Sequence, residues 1–407
     1  MPLAASPALA SPTDYSLSTT IAIPTTAANT QPGGAMTQFD ISYVDPLTGI
    51  YYFADRSNAS VDIINGATNS VLAQAGGFAG QLSSTGISGP DGVVVVNNGT
   101  TATLYAGDGG SILRSFNVNN PAAPVAQGTV NTGGVQFRVD EMAYSPSSNQ
   151  LFAANNANSP AFATLINATP PTPTIAHGNI LVPGQVASGG MEQPVWNPNT
   201  GTFFVSVPTF NGTDAGGVQE FSTSGAALRT YNLSSLGIAS CSPAGLVLGG
   251  SGNLTIGCGN AGTQTVVLNP TGTGSIVATI SSVSGSDELW YDPATGNVFA
   301  TGVNAAGDRV IDVISDANQA LLQSIDLTAL GAGLGNLHSV AVDPLNDEIF
   351  VPLLASTASM PATLCPDGCV AVFSQAAAVP EPGSLALLAG GAAALAGLTR
   401  RRRKASA

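Results

Sequence analysis

The chain has 407 residues, a formal net charge of −14 at neutral pH, 48 glycines and only 8% charged residues. Residues 1–378 hold five arginines (Arg56, Arg114, Arg138, Arg229, Arg309) and no lysine, against 23 carboxylates, and the other five basic residues cluster at 400–404. So acidic a body repels phosphate backbones, which excludes nucleic acid as a partner. The bulk of Gly, Ala, Ser, Thr, Val and Asn is unlike a helical protein. It fits short strands joined by Gly-, Asn- and Pro-bearing turns, and the regular apolar runs argue against disorder.

In chain order, "MPLAASPALASPTDYS" comes first. It lacks a basic leader and an apolar run of signal-peptide length, although Ala8-Leu9-Ala10 fits the small-residue end of a cleavage site. Residues 1–14 are therefore expected to be a signal-peptide remnant or linker, with the true start further upstream. From Tyr15, "YSLSTTIAIP" alternates like a strand.

The body then repeats. "ISYVDPLTGIYYFAD" from Ile41, "MAYSPSSNQLFAANN" from Met142, "PVWNPNTGTFFVSVP" from Pro194, "LWYDPATGNVFATG" from Leu289 and "VAVDPLNDEIFVPLL" from Val340 share one template. Each is an apolar strand, a Pro-bearing polar turn and a second apolar strand. Looser copies begin at Gly89 and Ser242, which makes seven. The residues opening the first strands are Asp40, Asp91, Asp140, Glu192, Ala244, Asp287 and His338, at intervals of 51, 49, 52, 52, 43 and 51. A four-stranded propeller blade takes roughly 40–50 residues, and third and fourth strands can be placed after the hairpins. The expected fold is all-β: a seven-bladed β-propeller of four-stranded blades over residues 15–375, plus a short C-terminal hydrophobic helix. The last repeat has only three strands, so the strand from Tyr15 is expected to complete it and close the ring.

The segments "DPLTGIYYFADRSNASVDIIN", "SGPDGVVVV", "DEMAYSP", "EQPVWNPNTG", "SDELWYDPATGNVFA" and "HSVAVDP" resemble the YVTN-type and lactonase-like propellers over roughly residues 36–375. That resemblance implies an exported bacterial protein. Some members of the group open lactones with a divalent cation, but their catalytic motif has no residue-by-residue match here.

First strands of propeller blades line the central channel, so their opening residues gather at one mouth. Asp40, Asp91, Asp140, Glu192, Asp287 and His338 are the candidate metal or ligand set, with Ca2+ as the expected cation. The alternative is that these acids bond to backbone N–H groups of neighbouring blades or line a wet channel. Glu141 and Glu288 lie one position further on, where alternation turns only one of each pair inward. Trp196 and Trp290 sit at similar places in their strands and are expected to pack between blades. No catalytic residue is identified.

Cys365 and Cys369 frame the turn "CPDGC", and Cys241 and Cys258 flank Gly249-Gly250 symmetrically. Two disulfides are expected, with zinc as the rival reading.

The chain ends in "VPEPGSLALLAGGAAALAGLTRRRRKASA". Ser384 to Leu398 is charge-free and would span about 22 Å as a helix, short of a full membrane span. Pro380, Glu381 and Pro382, an apolar helix, then Arg400, Arg401, Arg402 and Arg403 occur in that order. This order resembles the PEP-CTERM sorting signal and assigns residues 379–407 to sorting. The resemblance implies an exosortase-type partner, transient contact with the inner membrane through the helix, and final placement at the cell surface or outside it. A plain C-terminal membrane anchor is the other reading. The whole is expected to be an exported binding or scaffold propeller, with an extracellular polysaccharide or protein as partner. The alternative is a divalent-cation-dependent, lactonase-like hydrolase.

Overall fold

The computed structural model describes residues 14–375, apart from 185–189, 260–263, 334, 336 and 360. The repeated hairpin explains why its strands form where they do. In "DPLTG" the Asp45 carboxylate accepts from the Leu47 N–H at 3.1 Å and from Thr48 Oγ1 at 2.6 Å. The Gly49 N–H returns to the Asp45 carbonyl at 2.9 Å. "DPATG" repeats all three contacts through Asp292, and "NPNTG" repeats the two backbone N–H contacts through Asn197. Proline fixes the second position, and the fifth residue must take a left-handed backbone. Gly49, Gly201 and Gly296 do so, and Asn149 and Asp347 take the same place in the repeats without glycine.

Seven antiparallel four-stranded sheets result. Their first strands are Ser42–Asp45, Val93–Asn97, Met142–Ser145, Pro194–Asn197, Pro243–Leu248, Leu289–Asp292 and Ala341–Asp343. Each contacts the first strand of the next blade, and the seventh contacts the first, so these strands form a closed ring. The expectation of an all-β, seven-bladed propeller is met.

Each sheet grades from inside to outside. The second strands are almost wholly buried, Ile50–Asp55 and Thr202–Val207 at every position. The fourth strands, such as Ser275–Ser281 and Ala227–Asn232, are largely exposed. Core side chains meet between neighbouring sheets: Phe152 and Leu165 of the third blade pack with Phe203 and Phe221 of the fourth. Tyr52 and Ile63 of the first blade likewise pack with Leu104 and Phe116 of the second. A sheet whose two faces are both covered reads as a near-continuous apolar run.

Ser16–Ser374 forms one compact unit. The last blade takes Tyr15–Ala22 as its outer strand beside Cys369–Gln375. At this junction Gln375 Nε2 donates to Tyr15 Oη at 3.0 Å. Cys241 bonds to Cys258 and Cys365 to Cys369, with Cα separations of 4.6 and 5.6 Å, so the zinc reading is set aside.

One expectation is corrected. Among the described residues the only helices are three-residue 3-10 turns, and none is long and apolar enough to cross a membrane. The transmembrane helix, the membrane anchor and the contact with the inner membrane through it are therefore withdrawn. The segment 384–398, on which they rested, lies outside the described residues.

Deleting residues 15–22 would leave Cys369–Gln375 as an open edge and expose the partners of the buried Tyr15 and Ile21. Each such side chain is worth about 1.5–3 kcal/mol. The deletion should lower the thermal midpoint and give concentration-dependent aggregation by light scattering, whereas deleting residues 1–13 should do neither.

Candidate functional site

The blade-opening residues occupy equivalent backbone positions. The N–H groups of Asp40, Asp91, Asp140 and Glu192 each donate to a carbonyl of their blade's second strand: Ala54, Gly107, Ala154 and Ser206, at 2.7–3.0 Å. This shared register brings the acids together at one end of the first-strand ring. Asp40, Asp91, Asp140 and His338 are buried, whereas Glu192 and Asp287 are partly open.

Two arginines enter this acid cluster. Arg56, 3% exposed, follows the second strand of the first blade. Its Nη2 lies 2.5 Å from Asp40 Oδ2, and its Nε donates to Asp91 Oδ1 at 2.9 Å. Arg138 Nη2 lies 2.6 Å from Asp140 Oδ2. Reading the blade starts alone missed both. The available signal was "FRVDE", where Arg138 and Asp140 stand two apart just before the first strand of the third blade. Glu192 instead accepts from Asn156 Nδ2 at 2.9 Å.

The remaining members form a tight group. One ligand atom each from Asp40, Asp287 and His338 lies within 4.8 Å of the others. His338 stacks on Phe39 with ring centroids 4.7 Å apart, and its Nε2 is 3.5 Å from Asp40 Oδ1. Its Nδ1 is buried without a hydrogen-bond partner. Burial works to raise the Asp40 carboxyl, but Arg56, Arg138 and His338 outweigh it and hold the group below the usual carboxylate range. Asp140, where burial outweighs Arg138, is pushed up to about 6.

One step along the first strands, the chemistry changes. Glu288 Oε2 accepts from the backbone N–H groups of Ser42 and Val340 and from Ser339 Oγ, so it ties the sixth blade to the first and seventh. Gln193 Oε1 accepts from the Leu246 and Leu289 N–H groups and links the fourth blade to the fifth and sixth. The backbone-bonding role expected of the blade-opening acids thus falls to their neighbours. Burial pushes Glu288 up to about 8. Glu141 has no such partner: it is 3% exposed and neither carboxylate oxygen is hydrogen-bonded. Burial first, then Asp287, Asp140, Glu288 and Glu192, push its carboxyl well above the usual range.

Glu141, Gln193 and Glu288 bound the inner end of a cavity of about 400 Å3 inside the ring. Further along the same strands its wall is aromatic: Tyr43, Tyr144, Trp196, Trp290 and Tyr291. Trp196 and Trp290, expected to serve only packing between blades, line this space.

Residues 378–404 match the PEP-CTERM protein-sorting motif. The chain is therefore a β-propeller that carries a signal for export and surface sorting. Three solved structures share its fold. The β-propeller domain of Myceliophteria thermophila Cps50 (Swd1) superposes with a TM-score of 0.59 at 11% identity, over 89% of this chain and 99% of that one. A chain of the mitotic checkpoint complex gives 0.57 at 14%, over 92% and 97%. The WD40 β-propeller domain of Doa1 gives 0.54 at 14%, over 89% and 98%. At such identities the likeness shows the fold alone. No curated protein matches the chain, so the resemblance to YVTN-type and lactonase-like propellers narrows to the propeller fold.

Two predictions follow from the charges. Arg56→Met strands two buried carboxylates and should cost about 3–5 kcal/mol in chemical unfolding near neutral pH, less once the aspartates are protonated. The second concerns pH. Glu288 and Asp140 titrate near 8 and 6 when folded, against ordinary values of 4.5 and 3.8. Between those limits the folded chain binds more protons than the unfolded one, so stability falls as pH rises. The thermal midpoint should therefore climb as pH drops from about 8 to about 5. Asp40 works the other way, but only below the ordinary carboxylate range. A midpoint that is flat or falls over that interval would show these acids ionised in the fold.

Proposed function

We propose that this chain is a binding or scaffold propeller delivered to the cell surface or beyond, where it engages a protein partner without turning over a substrate. The observation that carries this reading is the PEP-CTERM motif at 378–404 on a propeller body. The motif also supports an exosortase-type enzyme as the sorting partner, acting near Pro380, Glu381 and Pro382, with residues 379–407 as the address and 15–375 as the delivered body. The shared fold with the WD40 domain and the checkpoint-complex chain is in keeping with a scaffold role. In the test, the full chain and a variant lacking 378–404 are expressed in a bacterium with a sorting system, and intact cells are treated with protease. The full chain should be shaved from the surface and the deletion variant should not. Equal accessibility would remove the sorting reading. Steady turnover of a lactone or ester by the purified chain would remove the non-enzymatic one.

A second reading rests on Asp40, Asp287 and His338, whose ligand atoms converge while Asp287 keeps an open side. Two carboxylates and an imidazole suit a divalent cation. The imidazole favours Zn2+ over the Ca2+ or Mn2+ expected from carboxylates alone. Asp91 and Asp140, held by Arg56 and Arg138, are less free to join. Calorimetric titration of the three metals should give one saturable site that Asp287→Asn and His338→Gln each abolish. Absence of binding would end this reading and the hydrolase alternative that needs it.

A further inference from the structure

The mouth acids have arginines among them, but the cavity on the other side of Glu141 does not. Its lining contains two carboxylates, Glu141 and Glu288, and no Arg, Lys or His. The Glu288 carboxylate is engaged by Ser42, Ser339 and Val340. Gln193 is committed at both ends of its amide: Oε1 to Leu246 and Leu289, and Nε2 to the Leu289 carbonyl. That leaves Glu141 as the unpartnered acceptor, nine-tenths buried and bordering the cavity. A buried carboxylate with no donor is costly unless something supplies one.

The rest of the wall limits what that donor can be. A bare metal ion needs several more oxygen ligands, and the facing surface offers aromatic rings and aliphatic side chains instead. Tyr43 and Trp290 meet edge to face at 5.5 Å, and Trp196 packs edge-on to Phe203 at 4.8 Å, so these rings are held in place by neighbours. Electron-rich ring faces attract a cation that carries its own apolar shell. At about 400 Å3 the space admits a small organic group and no folded segment. Pro146, at the outer end of the lining, is exposed, which gives the space a way in.

We propose that the aromatic side of the channel binds an organic ammonium group, with the cationic nitrogen against the Glu141 carboxylate and its alkyl portion among Trp196, Tyr144, Tyr43 and Trp290. The nitrogen can belong to a free amine or to a lysine side chain presented by a partner. The site is separate from the Asp40, Asp287 and His338 group and does not depend on the sorting reading.

Calorimetric and NMR titration of the full chain with n-butylammonium, tetramethylammonium, butan-1-ol and an N-acetyl-lysine methylamide tests this. The ammonium ions should bind saturably, with butan-1-ol, the neutral isostere, at least tenfold weaker, as expected for a desolvated charge contact. If the lysine amide binds as well as the free amines, a side chain of a partner is accommodated. If only the free amines bind, the source is a small molecule. Glu141→Gln keeps the shape but cannot ionise against the ligand, and should weaken binding at least tenfold without lowering the thermal midpoint. Trp196→Phe, which retains a ring for the core, should weaken it several-fold. Equal binding of butan-1-ol and butylammonium, unchanged affinity in Glu141→Gln, or no binding by a folded chain would each overturn the proposal. Surface sorting would be unaffected by any of these results.

Discussion

No blade of this propeller can bury its own faces. Phe152 needs Phe203 from the next sheet, and Tyr51 needs Phe350 from the last one. Every sheet is stable only between two neighbours, and a row of such sheets is satisfied at both ends only when it closes. Closure here joins the two ends of the described chain, because Tyr15–Ala22 completes the sheet that Cys369–Gln375 leaves short. The ring of first strands follows from that closure, and the chemistry inside the ring follows from the register of those strands.

The ring concentrates charge. Four blades bring their opening acid to the mouth at the same backbone position, and Asp287 and His338 converge there on Asp40. In so narrow a space burial first, and then mutual repulsion, raises a carboxyl that has no cation beside it, as Glu141 shows. The body has only five arginines, and two of them are spent here. Arg56 spans two blades, from Asp40 to Asp91, so it neutralises charge and fastens the ring at once. Glu288 and Gln193 do similar work with neutral donors, each reaching three blades. The channel is thus the polar fastening of a fold whose apolar contacts lie between the sheets.

Much of this was legible in the sequence, and the reasons are physical. The turn "DPLTG" and its variants are readable because a side-chain acceptor, a fixed φ and a left-handed fifth residue leave few choices of residue. Second and third strands are readable because burial on both faces makes them largely apolar. Fourth strands are harder. Ala227–Asn232 is exposed at four of six positions, and its pairing to Gly217–Ser222 shifts register partway, so neither hydrophobicity nor alternation marks it cleanly. The mouth acids could be found by aligning strand starts, and Arg138 by its place two residues before Asp140, but Arg56 could not, because it enters from the end of the second strand. The aromatic cavity was hidden for a different reason. Tyr43, Trp196 and Tyr291 come from three blades that only the three-dimensional ring brings face to face. In a single strand each reads as a packing residue.

The two ends of the channel are not electrically independent. Glu141 stands between them, since Asp140 and Asp287 belong to the mouth while Trp196 and Tyr144 face it from the cavity side. In a low-dielectric interior, charges a few residues apart interact far more strongly than in water. A cation held by Asp287 and His338 would relieve the crowding that now raises the Glu141 carboxyl and so favour its ionised form. A cation in the cavity would do the same for Asp287. Two cations at once would repel each other across the same few residues. Whether the ends assist or compete therefore depends on which effect is larger: the carboxylates freed to ionise, or the repulsion between the ligands. The arginines tilt that balance. Because Arg56 and Arg138 already neutralise Asp40, Asp91 and Asp140, the acids left to respond are Glu141, Glu192, Asp287 and Glu288. These four lie on blades three, four and six, so the responsive part of the channel is one side of the ring, and that side carries Tyr144, Trp196 and Trp290.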